Sequence, residues 1–471
     1  LMGDEQPGNR NPADDTVIIR TDEDAKNGQD KCPLCGATDI SLNQNTGKLR
    51  CNFCRHEFEP QALTGMHEDV SDIKGKVVSS GAQNIVADTD DMLTLKCESC
   101  GAEVVIDTSE SAQARCHWCR NTLSINTQIP NGSIPDVVLP FSIKKEEAKA
   151  EIEKFVSKRK FFAHPTFKKE FTTENIMGVY LPYMLVDVNG HAYFEGEGEE
   201  LVRMYEVGSK DDKKEYRYDA DLYHVSRKFD IEIKELSIES SADKLNKKNK
   251  KKTTNIINSI MPFDTENCVK WNANYLKGYT SERRDVNVDQ LEHTVMAQAT
   301  DVAKFKANST IRKYDRGVRW DEKKLEVEGQ QWKAAYLPVW LYSYQQKKGK
   351  DGILHYIAVN ARTKETMGSV PIHMPKLIAV SALIEFIGIL IAIFGNFEDS
   401  SEGRWPLLIA GFLFFLVAYL YYRNSDARHS YETETVSTLS NLVSEDDFVK
   451  HETGLKNAEM KGANNRIVDS R

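Results

Sequence analysis

The chain has 471 residues, with 62 Lys and Arg against 71 Asp and Glu, a net charge of −9 and 40% hydrophobic residues. That length accommodates two or three domains with cores of their own. The acidic balance argues against a general binder of phosphate backbones, so a nucleic-acid role would need a local basic patch.

Residues 1–28 read as an acidic, disordered tail. The first 30 residues carry eight acids against three bases and no apolar h-region, so no secretory signal is expected there. The nine cysteines are then expected in a reducing compartment, where thiolates bind metal rather than pair.

Eight of them form four CxxC pairs, Cys32/Cys35, Cys51/Cys54, Cys97/Cys100 and Cys116/Cys119; Cys268 stands alone. Fifteen residues separate the inner cysteines of each half, and the four-cysteine unit recurs at an offset of 65 residues. Gly follows the first pair of each copy and Arg the second. A CxxC can be a redox pair, a haem attachment site or half of a zinc clip. Haem attachment needs His after the second Cys, where this chain has Arg55 and Arg120. A redox pair would lie in a βαβ setting and would not explain a matched partner pair. Two Cys₄ zinc ribbons over 29–60 and 92–127 are therefore expected, the spacing being a recognised zinc spacing. Gly36 and Gly101 suit a left-handed turn, and each interval holds a hairpin. With four thiolates the coordination shell is closed, so two structural zinc ions are expected, with His56 and His117 as bystanders. Trp118, at the tip of a knuckle, is a candidate interface anchor.

Residues 61–91, rich in Gly, Asp and Ser, read as a linker. Residues 128–375 read as one cytosolic α+β domain dominated by antiparallel sheet. It opens on an extended IPDVVLPF and a helix over 142–160, with Ser142 as N-cap and Ala148, Ile152, Phe155 and Val156 on one face. VYLPYMLVDV, a type I′ turn at Asn189-Gly190 and HAYFEGEG predict a hairpin. A related unit, AAYLPVWLYSYQQ and ILHYIAVN, repeats Tyr-Leu-Pro (180–182 and 336–338) and suggests duplicated sheet units, with each Pro at a bulge or edge. A helix is predicted over 289–312 from Leu291, Val295, Val302 and Phe305. No P-loop, dinucleotide fingerprint, HExxH or GxSxG occurs, so no enzyme activity is expected. Cys268 reads as a small buried hydrophobe.

The lysine run of 244–252 (Lys244, Lys247, Lys248, Lys250, Lys251, Lys252) is either a solvated loop or a contact with anionic lipid headgroups. Residues 376–422 predict a transmembrane helical hairpin, with spans at 377–397 and 405–422. Arg362, Lys364, Lys376, Arg423 and Arg428 flank it, against one Arg among three acids in the short connection. The chain is thus expected to be a multi-pass protein of the cell membrane with both ends cytoplasmic. Glu385, near the middle of the first span, is a candidate partner contact that joins helices of an oligomer or a membrane partner. Gly388 and Ala392 form a small-residue step beside it. Residues 423–471 read as a polar cytoplasmic tail.

Taken together, the two Cys₄ ribbons, RCHWCR, NGSIPDVVLPFSIKKEEA, GVYLPYMLVDV and the late apolar pair resemble the bacterial membrane proteins called TFIIB-type zinc-ribbon-containing proteins, over about residues 30–425. Some of that family carry a replication-helicase label, which the missing P-loop does not support here. The resemblance implies a scaffold in envelope-stress or phage-shock-type assemblies, with PspA-like or SPFH-domain proteins as partners. The expected function is a membrane-anchored zinc-ribbon adaptor. The alternative is a membrane-tethered nucleic-acid-binding regulator, which the charge disfavours, and a third class is a thiol-based stress sensor that releases zinc on oxidation.

Overall fold

The computed structural model describes residues 16–21, 31–43, 45–59, 63, 65–85, 92–96, 103–107, 113–115, 122–124, 134–172, 176–207, 215–240, 260–281, 284, 286–346, 353–368, 370–394, 405–424 and 458–470. In chain order, β1 (Thr16–Ile19) is followed by β2 (Ile40–Leu42), β3 (Leu49–Cys51) and β4 (Glu57–Phe58) of the first cysteine module, and by β5 (Gly75–Ser79). Next come β6 (Met92–Lys96), β7 (Glu103–Asp107), β8 (Gln113–Arg115), β9 (Thr122–Ser124) and β10 (Val137–Val138). Helices α1 (Lys145–Ser157) and α2 (Pro165–Glu170) precede two long strands, β11 (Met177–Val207) and β12 (Glu215–Glu239). Short β13 (Val269–Lys270) and β14 (Thr280–Ser281) lead to helix α3 (Val288–Ser309), then β15 (Val318–Gln346), β16 (Ile353–Asn360) and β17 (Thr366–Gly368). The chain continues through α4 (Met374–Phe394), α5 (Trp405–Leu408), α6 (Ala410–Asn424) and β18 (Ala458–Ser470).

One sheet dominates, with the order β1-β5-β15-β11-β12-β18 and the shorter strands at its flanks. The mixed α+β character expected from sequence is present. β11 and β15 are central and rich in aromatic and branched residues, which suit a pleated surface covered on both sides. Along β11, Leu181, Tyr183 and Leu185 enter one core with Leu337, Val339 and Phe263. Residues of opposite parity meet helices: Tyr180 joins the α1 core with Ala148, Ile152 and Phe155, and Met184, Val186 and Val188 join the α3 core with Leu291, Val295 and Val302. Period-two alternation thus places both helices on one face.

The expected duplication is visible as a near two-fold arrangement. The two Tyr-Leu-Pro triplets lie directly opposite each other, Tyr180 against Pro338, Leu181 against Leu337 and Pro182 against Tyr336. Each half runs short strand, helix, long strand, return strand: β10-α1-β11-β12 and β14-α3-β15-β16. The short strand of each half crosses over and pairs in parallel with the long strand of the other. Val137 and Val138 face Ala335 and Tyr336, and Thr280 and Ser281 face Val179 and Tyr180, which are equivalent registers at an offset of 156 in the long strands.

Several expectations need correction. Both prolines sit in central strands rather than at bulges or edges. The reason is a seam: Pro182 accepts from Ser240 N in the gap between the C-terminal ends of β14 and β12, and Pro338 accepts from Ala361 N between β10 and β16. The N–H that each lacks would have pointed into that gap. Asn189-Gly190 is not a turn, because β11 runs straight through it and pairs with both β12 and β15. Glycine is required there for closeness: a Cβ on Gly190 would lie 2.6 Å from Glu326 O. Helix α1 starts at Lys145 with Lys144 as N-cap, while Ser142 Oγ donates to Ala361 O. The expected linker holds β5, parallel to both β1 and β15, and buries Val70, Ile73, Val77 and Val78. The expected N-terminal tail supplies β1, and the expected C-terminal tail supplies β18, antiparallel to β12.

Among the described residues one helix, α4, is long and apolar enough to cross a membrane. Its 21 residues reach about 30 Å at 1.5 Å per residue. The second apolar segment is divided at Ile409 into α5 and α6, which pack on α4.

Candidate metal centre

The first cysteine module is a three-stranded sheet, β2-β3-β4, with a knuckle at each CxxC. The two knuckles are built alike. Gly36 N donates to Cys32 O and Cys32 N to Ala37 O, and in the second Arg55 N donates to Cys51 O and Cys51 N to His56 O. Such a turn closes through a left-handed residue, and Gly36 (φ 71°) and Arg55 (φ 63°) occupy it. Gly36 is the residue expected for this conformation; an arginine pays a local cost there.

The knuckles bring four sulfurs together. Cys32 Sγ lies 3.6 Å from Cys54 Sγ and Cys35 Sγ 3.6 Å from Cys51 Sγ, and all four lie within 4.8 Å of one another. A tetrahedron with Zn–S bonds of about 2.3 Å has an edge of about 3.8 Å, whereas a disulfide would need about 2 Å. The four cysteines are therefore placed to hold one metal ion such as zinc. The amides of Cys54 and Phe53 bring the Cys51 thiol down to about 7. At Cys54 the His56 amide favours the thiolate, but desolvation and the crowding of Cys35, Cys32 and Cys51 push the thiol up to about 12.

Module and domain share a core: Ile40 and Leu49 pack in the same cluster as Phe141, Trp271 and Tyr275. Lys277 Nζ also donates to Ile40 O at 2.6 Å and pairs with Asp39 at 3.1 Å. The outward face carries Leu34, 68% exposed, and Phe53, 80% exposed, one at the tip of each knuckle. Beside it a cavity of about 390 Å³ is lined by Ser41, Leu42, Asn43, Asn45, Arg50, Asn52, Arg55 and Lys144. Among the described residues no carboxylate forms an ion pair with Arg50, Arg55 or Lys144.

Cys97, Cys100, Cys116, Cys119 and Trp118 lie outside the described residues, as do Lys244, Lys247, Lys248, Lys250, Lys251 and Lys252. The strands around the second pairs are described. Ala114 faces Leu123 and Arg115 faces Thr122 across β8 and β9; 65 residues earlier, Leu49 faces Phe58 and Arg50 faces Glu57. The register of this one hairpin, β3-β4 and β8-β9, is the same in both copies. Phe53, which stands where the second copy has Trp118, was missed in the sequence, although that offset points to it.

Glu385 bonds within its own chain. Its Oε2 accepts from Gly411 N at 2.6 Å and Phe412 N at 3.3 Å, two first-turn amides freed by the break at Ile409. A Cβ on Gly411 would lie 2.2 Å from Ser381 O, and one on Gly388 would lie 2.3 Å from Leu407 O. Cys268 packs on the Leu337 core, and desolvation, with the Glu235 carboxylate adding, holds its thiol well above the ordinary range. Lys333 is closed into an ion cluster, 3.3 Å from Asp187 and 3.8 Å from Glu235. Comparison of the chain with protein-family models, with curated proteins and with solved structures gives no match.

Proposed function

We propose that this chain is a membrane-anchored adaptor whose zinc ribbons dock protein partners at the cytoplasmic face. The observation that carries the reading is the pairing of a closed Cys₄ centre with two exposed apolar knuckle tips, Leu34 and Phe53. Four thiolates leave no position for a catalytic water, so the metal's part is to hold the knuckles rigid. Exposed aromatic residues on a rigid support are typical of interface anchors. The shared register of the β3-β4 and β8-β9 hairpins, with the repeated CxxC spacing, supports a second zinc at Cys97, Cys100, Cys116 and Cys119, with Trp118 in the place of Phe53. The apolar pair α4 and α5-α6 supports a membrane hairpin with both ends cytoplasmic. PspA-like or SPFH-domain proteins remain the partners implied by the family resemblance.

The test is affinity purification of the full chain in mild detergent, comparing wild type with Leu34→Ser/Phe53→Ser at matched zinc content. A specific set of proteins should be lost from the variant. Recovery of the same set with both chains would overturn the reading.

The runner-up, a membrane-tethered nucleic-acid regulator, is favoured by one observation. Arg55 occupies a left-handed position where glycine is easier, and it lines a cavity with Arg50 and Lys144. If the full chain binds single strands with a steep salt dependence that Arg50→Gln/Arg55→Gln abolishes, this reading takes precedence.

A further inference from the structure

At the foot of the domain, the loop between α1 and α2 meets the start of α4. His164 N donates to Pro371 O at 2.7 Å and His373 N to Phe162 O at 2.7 Å, and Ala163 bridges to Ile372. This clamp fixes Phe161 and Phe162 beside the apolar helices. Phe162 lies 6.5 Å from Phe414 of α6, and Phe161 is left 61% exposed.

Two ammonium groups meet at Phe161, and a third lysine precedes it in the chain. Lys376 Nζ donates to Phe161 O at 2.7 Å and stands 3.9 Å from the ring centroid. Lys168 Nζ reaches the same carbonyl at 3.4 Å, and Lys160 adjoins Phe161 in the chain. None of the three pairs with a carboxylate among the described residues. Desolvation, followed by the charges of Lys376 and Lys160, lowers the Lys168 ammonium from its ordinary range. Like charges are thus held together with only a carbonyl between them, at the end of an apolar helix and beside an exposed aromatic ring.

We propose that Lys160, Lys168 and Lys376, with Phe161, form a binding site for the phosphate of an anionic phospholipid headgroup. The lysines would neutralise the phosphate while Phe161 enters the boundary between headgroups and acyl chains, where aromatic side chains are at home. This rests on the reading of α4 as a membrane span. The lysine run at 244–252 is no part of this proposal.

The test uses the full chain reconstituted into vesicles of phosphatidylcholine with a minor fraction of phosphatidylglycerol. Carbonate extraction scores the span; the lipid retained after transfer to neutral detergent, measured by mass spectrometry, scores the site. Wild type should retain phosphatidylglycerol above its bulk fraction. A lysine near an anionic surface is worth about fivefold, so Lys160→Gln/Lys168→Gln/Lys376→Gln should reduce the enrichment about tenfold or more. Replacing the lysines of 244–252 should leave it unchanged. Bulk composition around an integrated wild-type chain, or undiminished enrichment in the triple variant, would overturn the site while leaving the span intact. Complete release by carbonate would overturn the span and the site with it. Displacement of the lipid by glycerol 3-phosphate at equal concentration would reassign the lysines to a soluble phosphate ester.

Discussion

A metal held by thiolates competes with protons for every sulfur, so the two ends of the Cys51–Cys54 knuckle behave differently. Backbone amides bring Cys51 to about 7, so above that pH it meets the metal as a thiolate. Below it, Cys51 must first lose its proton. Protons released per metal bound at this site should therefore fall by one as pH rises through about 7, and affinity should drop more steeply below that point. Calorimetry in buffers of differing ionisation enthalpy, on a chain whose second cysteine set is serine, measures this. A count constant from pH 6 to 8 would refute it. A second residue-scale expectation concerns Asp136, 1% exposed. It accepts from Thr21 Oγ1 at 2.7 Å, Gly81 N at 3.0 Å, Ala334 N at 2.7 Å and the Ser79 hydroxyl. Asp136→Ala would strand several of these buried donors, each costing about 1–3 kcal/mol. Loss of at least about 3 kcal/mol is expected in denaturant unfolding of the detergent-solubilised chain.

Element by element, the apolar hairpin shows how a carboxylate becomes tolerable among hydrocarbon side chains. The break at Ile409 frees the amides of Gly411 and Phe412, and Glu385 accepts from both. Glu385→Leu should leave them unpaired, whereas Glu385→Gln keeps an acceptor oxygen. The leucine variant should lose about 1–3 kcal/mol of stability in detergent, and the glutamine variant much less; equal losses would mean that the oxygen does not cap the break. Gly411→Leu should separate the helices, since even a Cβ would collide with Ser381 O. The break itself is invisible in a run of apolar residues, because no local signal tells a span from two shorter helices. The knuckles, by contrast, are legible: CxxC spacing and Gly36 are local, and a metal site is specified by local spacing. Asn189-Gly190 misleads for the same reason in reverse. Its glycine answers to β15, more than 130 residues away in sequence, so the pair that commonly signals a turn marks a close strand approach. Residues 61–91 read as a linker because Gly, Asp and Ser are frequent there and the apolar residues show no sustained period, although Val70, Ile73, Val77 and Val78 suffice to bury a strand and its approach. The exposed Phe53 and the lysines around Phe161 acquire meaning only from what the fold sets beside them.

Across the whole molecule, the sheet domain has the organisation of two units that exchange strands. Each half places its short strand against the other half's long strand, in equivalent registers, and the long strands pair along Tyr-Leu-Pro. Neither half then encloses a core: Leu181, Tyr183 and Leu185 need Leu337 and Val339 across the seam, and α3, from the second half, covers Met184 and Val186 of the first. A covalent link between the halves adds little beyond proximity, because the contacts that define the seam are non-local and extensive. A chain divided between Ser240 and Ile260 should therefore assemble from its two fragments when they are made together, and each fragment made alone should aggregate or be degraded. Co-purification of the untagged fragment through a tag on the other measures assembly. Val138→Asp, which places a charge at a buried position (0% exposed) where β10 meets β15, should abolish co-purification. A first fragment that folds and remains soluble on its own would show that the strand exchange is not what holds the domain together.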